Sequence, residues 1–457
     1  MNREALREVE AGLLEMIAGV RLLRSNAQPG PVPAPAPVPA PSPVPAPSPA
    51  PAPTPVPAPP PAPNRRPAPP WVRRAIRRRW FRAGNGLKAI DPRWDPKINP
   101  LFDPTGQTRP PWGMSHWGIE GIFAYSGGGM DPDGTTFYQV GGGHGDSGNN
   151  GIVGLDLHLD EPTWRHERWP AGSIGNWDGV NALGFDGLDS FLDTYYNGEP
   201  RSAHTYCGVI VAEGKIWISL GYKAGAAGLG GKTLFWYDLK SKDWHSTPMI
   251  ADGLISQDLC YIPGRRQIIT IGKGNLMMGV YHIETDTWTK TDAYTNTSSS
   301  TRPVYVPTID AMVGLSNVVG NGFFVHDFGR TPNGGNELRP PLVDEAGKPA
   351  GKLFDGRVDL RNGVWSPQLG AIVGWSYGAD FWTLRPPLSG VVTDPWIEGA
   401  LKADAGNTLV PMGIPGAQDP STFGRLFLAE FEGEEVIGLS TLENSGNDAI
   451  QPNFFRL

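Results

Sequence analysis

Two stretches of this sequence hold side chains suited to chemistry on a ligand. His144-Gly145-Asp146-Ser147-Gly148-Asn149-Asn150 spaces polar groups with glycine, and residues 169–203 carry Trp177, Asp178, Asp186, Asp189, Tyr195 and Tyr196. Flat rings stack on sugar faces, and carboxylates and amides take up sugar hydroxyls. His144, Asp146, Asn150, Trp177, Asp178, Tyr195 and Tyr196 are therefore the candidate ligand-binding residues, with carbohydrate as the expected ligand. A plainer role is also open: His144 and Asp146 can satisfy backbone donors at a crowded turn, and His204 can cap a strand in the same way. Asp178, Asp186 and Asp189 leave open a pair of carboxylates working on a glycosidic bond.

Other chemistries fit less well, and neither a catalytic residue nor a cofactor or metal is expected. His204-Thr205-Tyr206-Cys207 has the residue types of a copper radical site, but adjacent Tyr and Cys in a strand cannot converge on one metal. Cys260 followed by Tyr261 fails likewise. Asp131-Pro132-Asp133-Gly134-Thr135-Thr136-Phe137 departs from the sialidase pattern Ser-x-Asp-x-Gly-x-Thr-Trp by placing Pro132 at the Asp position. Phosphate loops, zinc motifs and EF-hands are absent from the sequence. Cys207 and Cys260 fall near the first strands of neighbouring repeats and are expected as free buried thiols.

The elements that must position these residues follow from composition and repetition. The chain has 457 residues, with 60 Gly, 48 Pro and 16 Trp and only 19% charged residues, which suits many short strands joined by tight turns. Tyr237 precedes Trp244, and Tyr281 precedes Trp288, each by seven residues across a polar turn. Upstream of each lies an apolar run ending in glycine: Ile216-Trp217-Ile218-Ser219-Leu220-Gly221 and Ile268-Ile269-Thr270-Ile271-Gly272. A longer version contains Phe137-Tyr138-Gln139-Val140-Gly141-Gly142-Gly143 and Trp164. Three later units, around Val304-Tyr305-Val306, Gly363-Val364-Trp365 and Arg425-Leu426-Phe427-Leu428, lose the Trp of the earlier ones.

This order of strands, glycines, Tyr and Trp resembles the kelch repeat, in which each repeat is one four-stranded blade of a β-propeller. The resemblance implies an all-β fold of about six blades over residues 121–457, or seven if the segment before them adds one. Glycine in such blades is expected to let the backbone bend near the axis. Tyr125-Ser126-Gly127-Gly128, Gly141-Gly142-Gly143-His144-Gly145-Asp146 and Gly198-Glu199-Pro200-Arg201-Ser202-Ala203-His204 look like the kelch-like virion proteins of tailed bacteriophages and gene-transfer particles. That resemblance covers the propeller alone. It implies a virion fibre, spike or decoration protein, made in the bacterial cytoplasm and exposed on the particle, that binds a host-surface glycan without being an enzyme. A glycan hydrolase or lyase, and a structural docking adaptor, are the alternatives.

Three further segments precede the repeats. Residues 1–26 read as an amphipathic helix, with Leu6, Val9, Leu13, Met16, Val20 and Leu23 forming an a/d seam for self-association or docking into a virion. Residues 27–70 alternate Pro with Ala and Val, a stiff polyproline linker. Residues 71–120 form a basic collar and lead-in. Residues 64–82 hold eight Arg and no acid; the helix and stalk are neutral, so the remainder carries −15 against a net −7. The collar suits a membrane-surface helix, a nucleic-acid contact, or a neck packed on its own acidic head, whereas the head itself is ill suited to nucleic acid. The sequence contains no apolar run long enough for a transmembrane helix.

Overall fold

The computed structural model describes residues 66–85, 126–133, 135–141, 150–168, 194, 198–220, 222–223, 233–250, 258–271, 277–294, 301–316, 323–331, 337–350, 362–376, 378–411, 425–440 and 452–457. The anchor residues Leu6, Val9, Leu13, Met16, Val20 and Leu23 and the stalk lie outside them.

The described residues form a six-bladed β-propeller. A short helix α1 (Pro70–Arg74) leads to β1 (Trp80–Arg82). Blade 1 comprises β2 (Gly128–Met130), β3 (Thr136–Val140), β4 (Ile152–Asp156) and β5 (Thr163–Arg168). Next come β6 (Ala203–His204), then β7 (Val209–Ala212) and β8 (Lys215–Ser219), then β9 (Tyr222–Lys223), which pairs back on β6. With β7 and β8, β10 (Leu234–Asp238) and β11 (Trp244–Ser246) make blade 2. Blade 3 is β12 (Asp258–Ile262), β13 (Gln267–Ile271), β14 (Met277–His282) and β15 (Thr287–Tyr294). Blade 4 is β16 (Thr301–Val306), β17 (Ala311–Ser316) and β18 (Phe323–Asp327), extended by a bridge from Val325 to Leu338.

A parallel strand β19 (Leu342–Asp344) edges blade 5, which is β20 (Gly363–Ser366), β21 (Ala371–Gly374), β22 (Phe381–Arg385) and β23 (Trp396–Leu401). Blade 6 is β24 (Leu426–Phe431), β25 (Glu434–Leu439) and β26 (Asn453–Arg456), with β1 as its outermost strand. The first strands adjoin one another in the cycle β2, β7, β12, β16, β20, β24 and back to β2. That cycle fixes the count at six. The segment before residue 121 adds a strand, not a seventh blade, and the propeller thus reaches back into the stretch read as collar and lead-in.

One apolar cluster fills each of the six interfaces between blades. A blade covered on both faces needs near-continuous apolar strands, and every residue of Gln267-Ile268-Ile269-Thr270-Ile271 is indeed buried. Tyr237 and Trp244 are cross-strand partners, as are Tyr281 and Trp288, with ring centroids 5.3 Å and 5.2 Å apart. The later blades do not all lack the tryptophan. Blade 5 supplies Trp396 at the start of β23, beyond a long turn, and blade 6 receives Trp80 from the opposite end of the chain. Blade 4 has no tryptophan among its described residues; Leu338, bridged to Val325, packs instead in the cluster shared with blade 5.

The glycines also act differently from the expectation of a bend. Gly314, Gly374 and Gly438 have no left-handed φ; a Cβ on them would lie 2.0 Å from Phe324, 1.9 Å from Trp382 and 2.0 Å from Phe427. Each leaves room for a ring from the neighbouring strand. The stretches 330–353 and 389–422 are not plain connections, since each holds a strand, β19 and β23 respectively. Cys207 and Cys260 are free and buried, the first just ahead of β7 and the second within β12.

The collar packs on the head. Trp71 is 2% exposed, lies among Phe81, Phe431 and Phe454, and donates its indole N–H to Leu157 O at 3.0 Å. Arg74 pairs with Glu161 of blade 1, Arg77 with Glu434 of blade 6, and Arg79 with Asp404 after blade 5. Arg456 donates to Val72 O and to Ala75 O, at 3.3 Å and 2.8 Å. Positive collar and acidic head therefore meet across the seam where the ring closes, binding three blades together.

Candidate functional site

The two ends of the propeller are built differently. At one end the blade hairpins close, mostly through tight turns, several of them cross-linked between blades. Pro263 and Pro307 open matching 3-10 turns that finish on left-handed Arg266 (φ 50) and Asp310 (φ 45). Arg265 then donates to Asp310 and Phe328 O, both at 2.7 Å, while Arg266 reaches Glu213 of the preceding blade at 2.6 Å. The guanidinium holds the Glu213 carboxyl below its usual range, against desolvation. Glu435, 3% exposed, accepts Ser366 Oγ at 2.6 Å and Gln368 N at 2.8 Å and so ties blade 5 to blade 6.

At the other end, first strands begin and second strands finish, and the longest connections start and return. Buried polar residues ring this end: Ser126, Thr205, Asp258, Asn362 and Arg425. Backbone groups crowded at the axis need partners, and short side chains supply them. Thr205 Oγ1 accepts Gly127 N at 3.1 Å and donates to Val140 O at 2.9 Å. Ser440 Oγ donates to Gln139 Oε1 at 2.9 Å, joining blade 6 to blade 1. Arg425 is fully enclosed, and desolvation brings its guanidinium down to about 9.

Of the seven candidate ligand residues, Asn150 alone is described. It is 4% exposed, and its Nδ2 donates to Pro200 O at 3.0 Å and to Glu199 Oε2 at 3.4 Å. Glu199 in turn pairs with Arg168, whose guanidinium lies 5.8 Å from the Tyr237 ring centre. Asn150 thus fastens the end of the long connection onto blade 1 and positions the chain that leads to residues 169–193. His144, Asp146, Trp177, Asp178, Tyr195 and Tyr196 lie outside the described residues, as do Asp186 and Asp189. His204 lies in β6, with Nδ1 3.1 Å from Tyr206 Oη.

The axis itself holds a cavity of about 250 Å³ that the sequence reading did not anticipate. Asp131 and Asp133 line it from the first turn of blade 1, Arg302 from β16, Trp365 from β20 and Glu430 from β24. Arg302 Nε donates to Gly363 O at 3.3 Å. Burial raises the Asp131 carboxyl, opposed by hydrogen bonds from Asp133 N and Thr135 Oγ1. The only sequence signal for this site is a charge inside an otherwise apolar first strand, as in Thr301-Arg302-Pro303-Val304. Among the described residues, no group of three or more His, Cys, Asp or Glu is arranged to hold a metal ion. No described helix is long and apolar enough to cross a membrane.

No protein-family model and no curated protein matches the chain. A solved structure of U3-55K aligns with 72% of this chain and 80% of its own at 9% identity and a TM-score of 0.35. The six-bladed assignment rests on the sheets and the closed cycle of first strands described above.

Proposed function

We propose that the chain is a display protein of a phage-like particle. Its N-terminal helix anchors it, its Pro-Ala stalk holds the propeller outward, and the face carrying the long connections binds a host-surface glycan. The observation that carries this reading is where the chain joins the head. Arg66 O accepts Glu432 N at 2.9 Å, at the turn of the innermost hairpin of blade 6. The stalk side of the chain therefore meets the end with tight turns, and the long connections emerge at the opposite end. A binding head on a stalk calls for this polarity.

On this reading Trp177, Tyr195 and Tyr196 stack on sugar rings, and His144, Asp146 and Asp178 take the hydroxyls, with Asn150 holding their framework. Weak contacts per head gain strength when several heads are joined through Leu6, Val9, Leu13, Met16, Val20 and Leu23. The test is a glycan array probed with the full chain, where selective binding should fall for Trp177→Ala at unchanged melting temperature. A blank array with sugar cleaved in solution would replace this reading with a hydrolase or lyase. A blank array without cleavage, over the host's own surface polysaccharides, would leave a structural adaptor. A fragment beginning at residue 66 keeps β1 and should be a monomer, since assembly is assigned to the helix; a stable oligomer of it would refute that assignment.

A further inference from the structure

We propose that the cavity on the propeller axis binds a short peptide with free termini, its carboxylate directed to Arg302 and its ammonium to Asp131 and Asp133. This site is separate from the glycan-binding face and does not depend on that reading. The cavity holds about 250 Å³. Its mouth lies at the end with tight turns, where Pro132 and Asp133 are exposed, and buried Gly128 and Leu426 line it further in.

Unpaired charges of opposite sign face each other across this space. Arg302 comes from blade 4, and Asp131 and Asp133 from blade 1, three steps round the ring and therefore opposite. Arg302 Nε donates to Gly363 O at 3.3 Å, and its two terminal nitrogens meet no acceptor among the described residues. The Asp133 carboxylate likewise meets no donor there; only its backbone N–H is used, by Asp131 Oδ1 at 3.1 Å. Asp131 accepts hydrogen bonds from neutral groups alone, Asp133 N and Thr135 Oγ1. Burial raises its carboxyl, and the charge of Arg66 is the weakest of the influences on it. The two carboxylates thus lack a cation and Arg302 lacks an anion. A simple anion is repelled at the mouth and a simple cation by Arg302, so only a molecule carrying both charges satisfies both walls.

The depth of each charge selects an extended zwitterion. Arg302 is fastened to Gly363, the first residue of β20, as Gly128 is the first of β2. Asp131 follows Gly128 by three residues, roughly 10 Å along a strand. A free α-amino acid is too short for that separation, whereas an extended tripeptide matches it. Between the charged ends, Met130, Val364 and Leu428 offer half-buried apolar surface to side chains. The indole N–H of half-buried Trp365, which has no acceptor among the described residues, is available to a peptide carbonyl.

The experiment is isothermal titration calorimetry of the full chain with trialanine. Trialanine should bind, and its N-acetylated and C-amidated forms should each bind about tenfold more weakly. Arg302→Gln should weaken trialanine by about tenfold and leave the amidated form unchanged, because that form has no carboxylate to lose a partner. Asp133→Asn, at an exposed position, should weaken trialanine by about threefold and leave the acetylated form unchanged. A damaged fold would lose the free and blocked peptides alike, so these selective losses identify the site. Absence of trialanine binding, equal affinity for the free and blocked forms, or a preference for the free carboxylate that survives Arg302→Gln would each overturn the proposal.

Discussion

Replacing Trp80 with alanine should cost several kcal/mol, because that side chain fastens the strand that closes the ring. Trp80 is 4% exposed, stacks on Phe381 at 5.0 Å and meets Phe455 edge-on at 5.4 Å. Burial of roughly 200 Å² at about 25 cal/mol per Å² corresponds to about 5 kcal/mol. Measured large-to-small losses at such sites are about 3–5 kcal/mol. The indole N–H bond to Ala379 O, at 2.8 Å, accounts for about 1 kcal/mol within that loss. Trp80→Phe keeps the ring contacts and should lose only about 1–2 kcal/mol, through the hydrogen bond and the smaller ring. Urea unfolding followed by far-ultraviolet circular dichroism reads both values. If the two variants lose equal amounts, or if Trp80→Ala loses less than about 1.5 kcal/mol, β1 is not held as argued and ring closure lies elsewhere.

Gly374→Ala would place a Cβ 1.9 Å from Trp382 and 2.4 Å from Asn362 O, and should destabilise by about 2–4 kcal/mol. Gly347→Ala, with φ +75 and open space around it, should cost only about 1 kcal/mol, and equal losses in urea would refute the ring-clearance role. The hydrogen bond from Arg456, then that from Arg77, hold the Glu434 carboxyl below the ordinary 4.5, against desolvation. Its contribution is therefore present above that value and is lost as pH falls through the lower folded value; Glu434→Gln should flatten the fall in stability below pH 4.5. Burial pushes the Cys260 thiol up to about 12, so neither it nor buried Cys207 should react with a thiol reagent near neutral pH until denaturant is added. Fast labelling of the native protein would contradict this.

What could be read from the sequence depended on how far apart the partners lie. Tyr237 and Trp244 were legible because a hairpin with a four-residue turn sets residues seven apart directly opposite each other. Trp396 escaped because the turn 386–395 separates it from its hairpin partner strand. Trp80 escaped because its partner Phe455 lies at the other end of the chain. The strand glycines were visible, but their purpose was not: a ring over Gly374 or Gly438 is a cross-strand relation, and sequence shows only the missing side chain. Asn150 drew notice through its glycine-rich setting, but its bonds to Glu199 and Pro200, some fifty residues on, could not be read from spacing. Arg302 and Glu430 went unremarked because only the closed cycle brings first strands 128 residues apart to one axis.

The exchange of β1 into blade 6 also sets a timetable for biosynthesis. Trp80–Arg82 leaves the ribosome well before its partner Asn453–Arg456. Until then blades 1 to 5 form an open arc, with the faces of blade 1 and blade 5 that pack on blade 6 left uncovered. Uncovered apolar faces of this kind recruit other chains. In the finished ring, β2 meets β24 and β1 covers β26. The arginines around β1 can keep the waiting strand from pairing with a second copy of itself, since like charges facing each other disfavour that match. A nascent chain stalled before residue 426 would leave this arc open permanently, and chaperone capture should therefore peak just before blade 6 emerges.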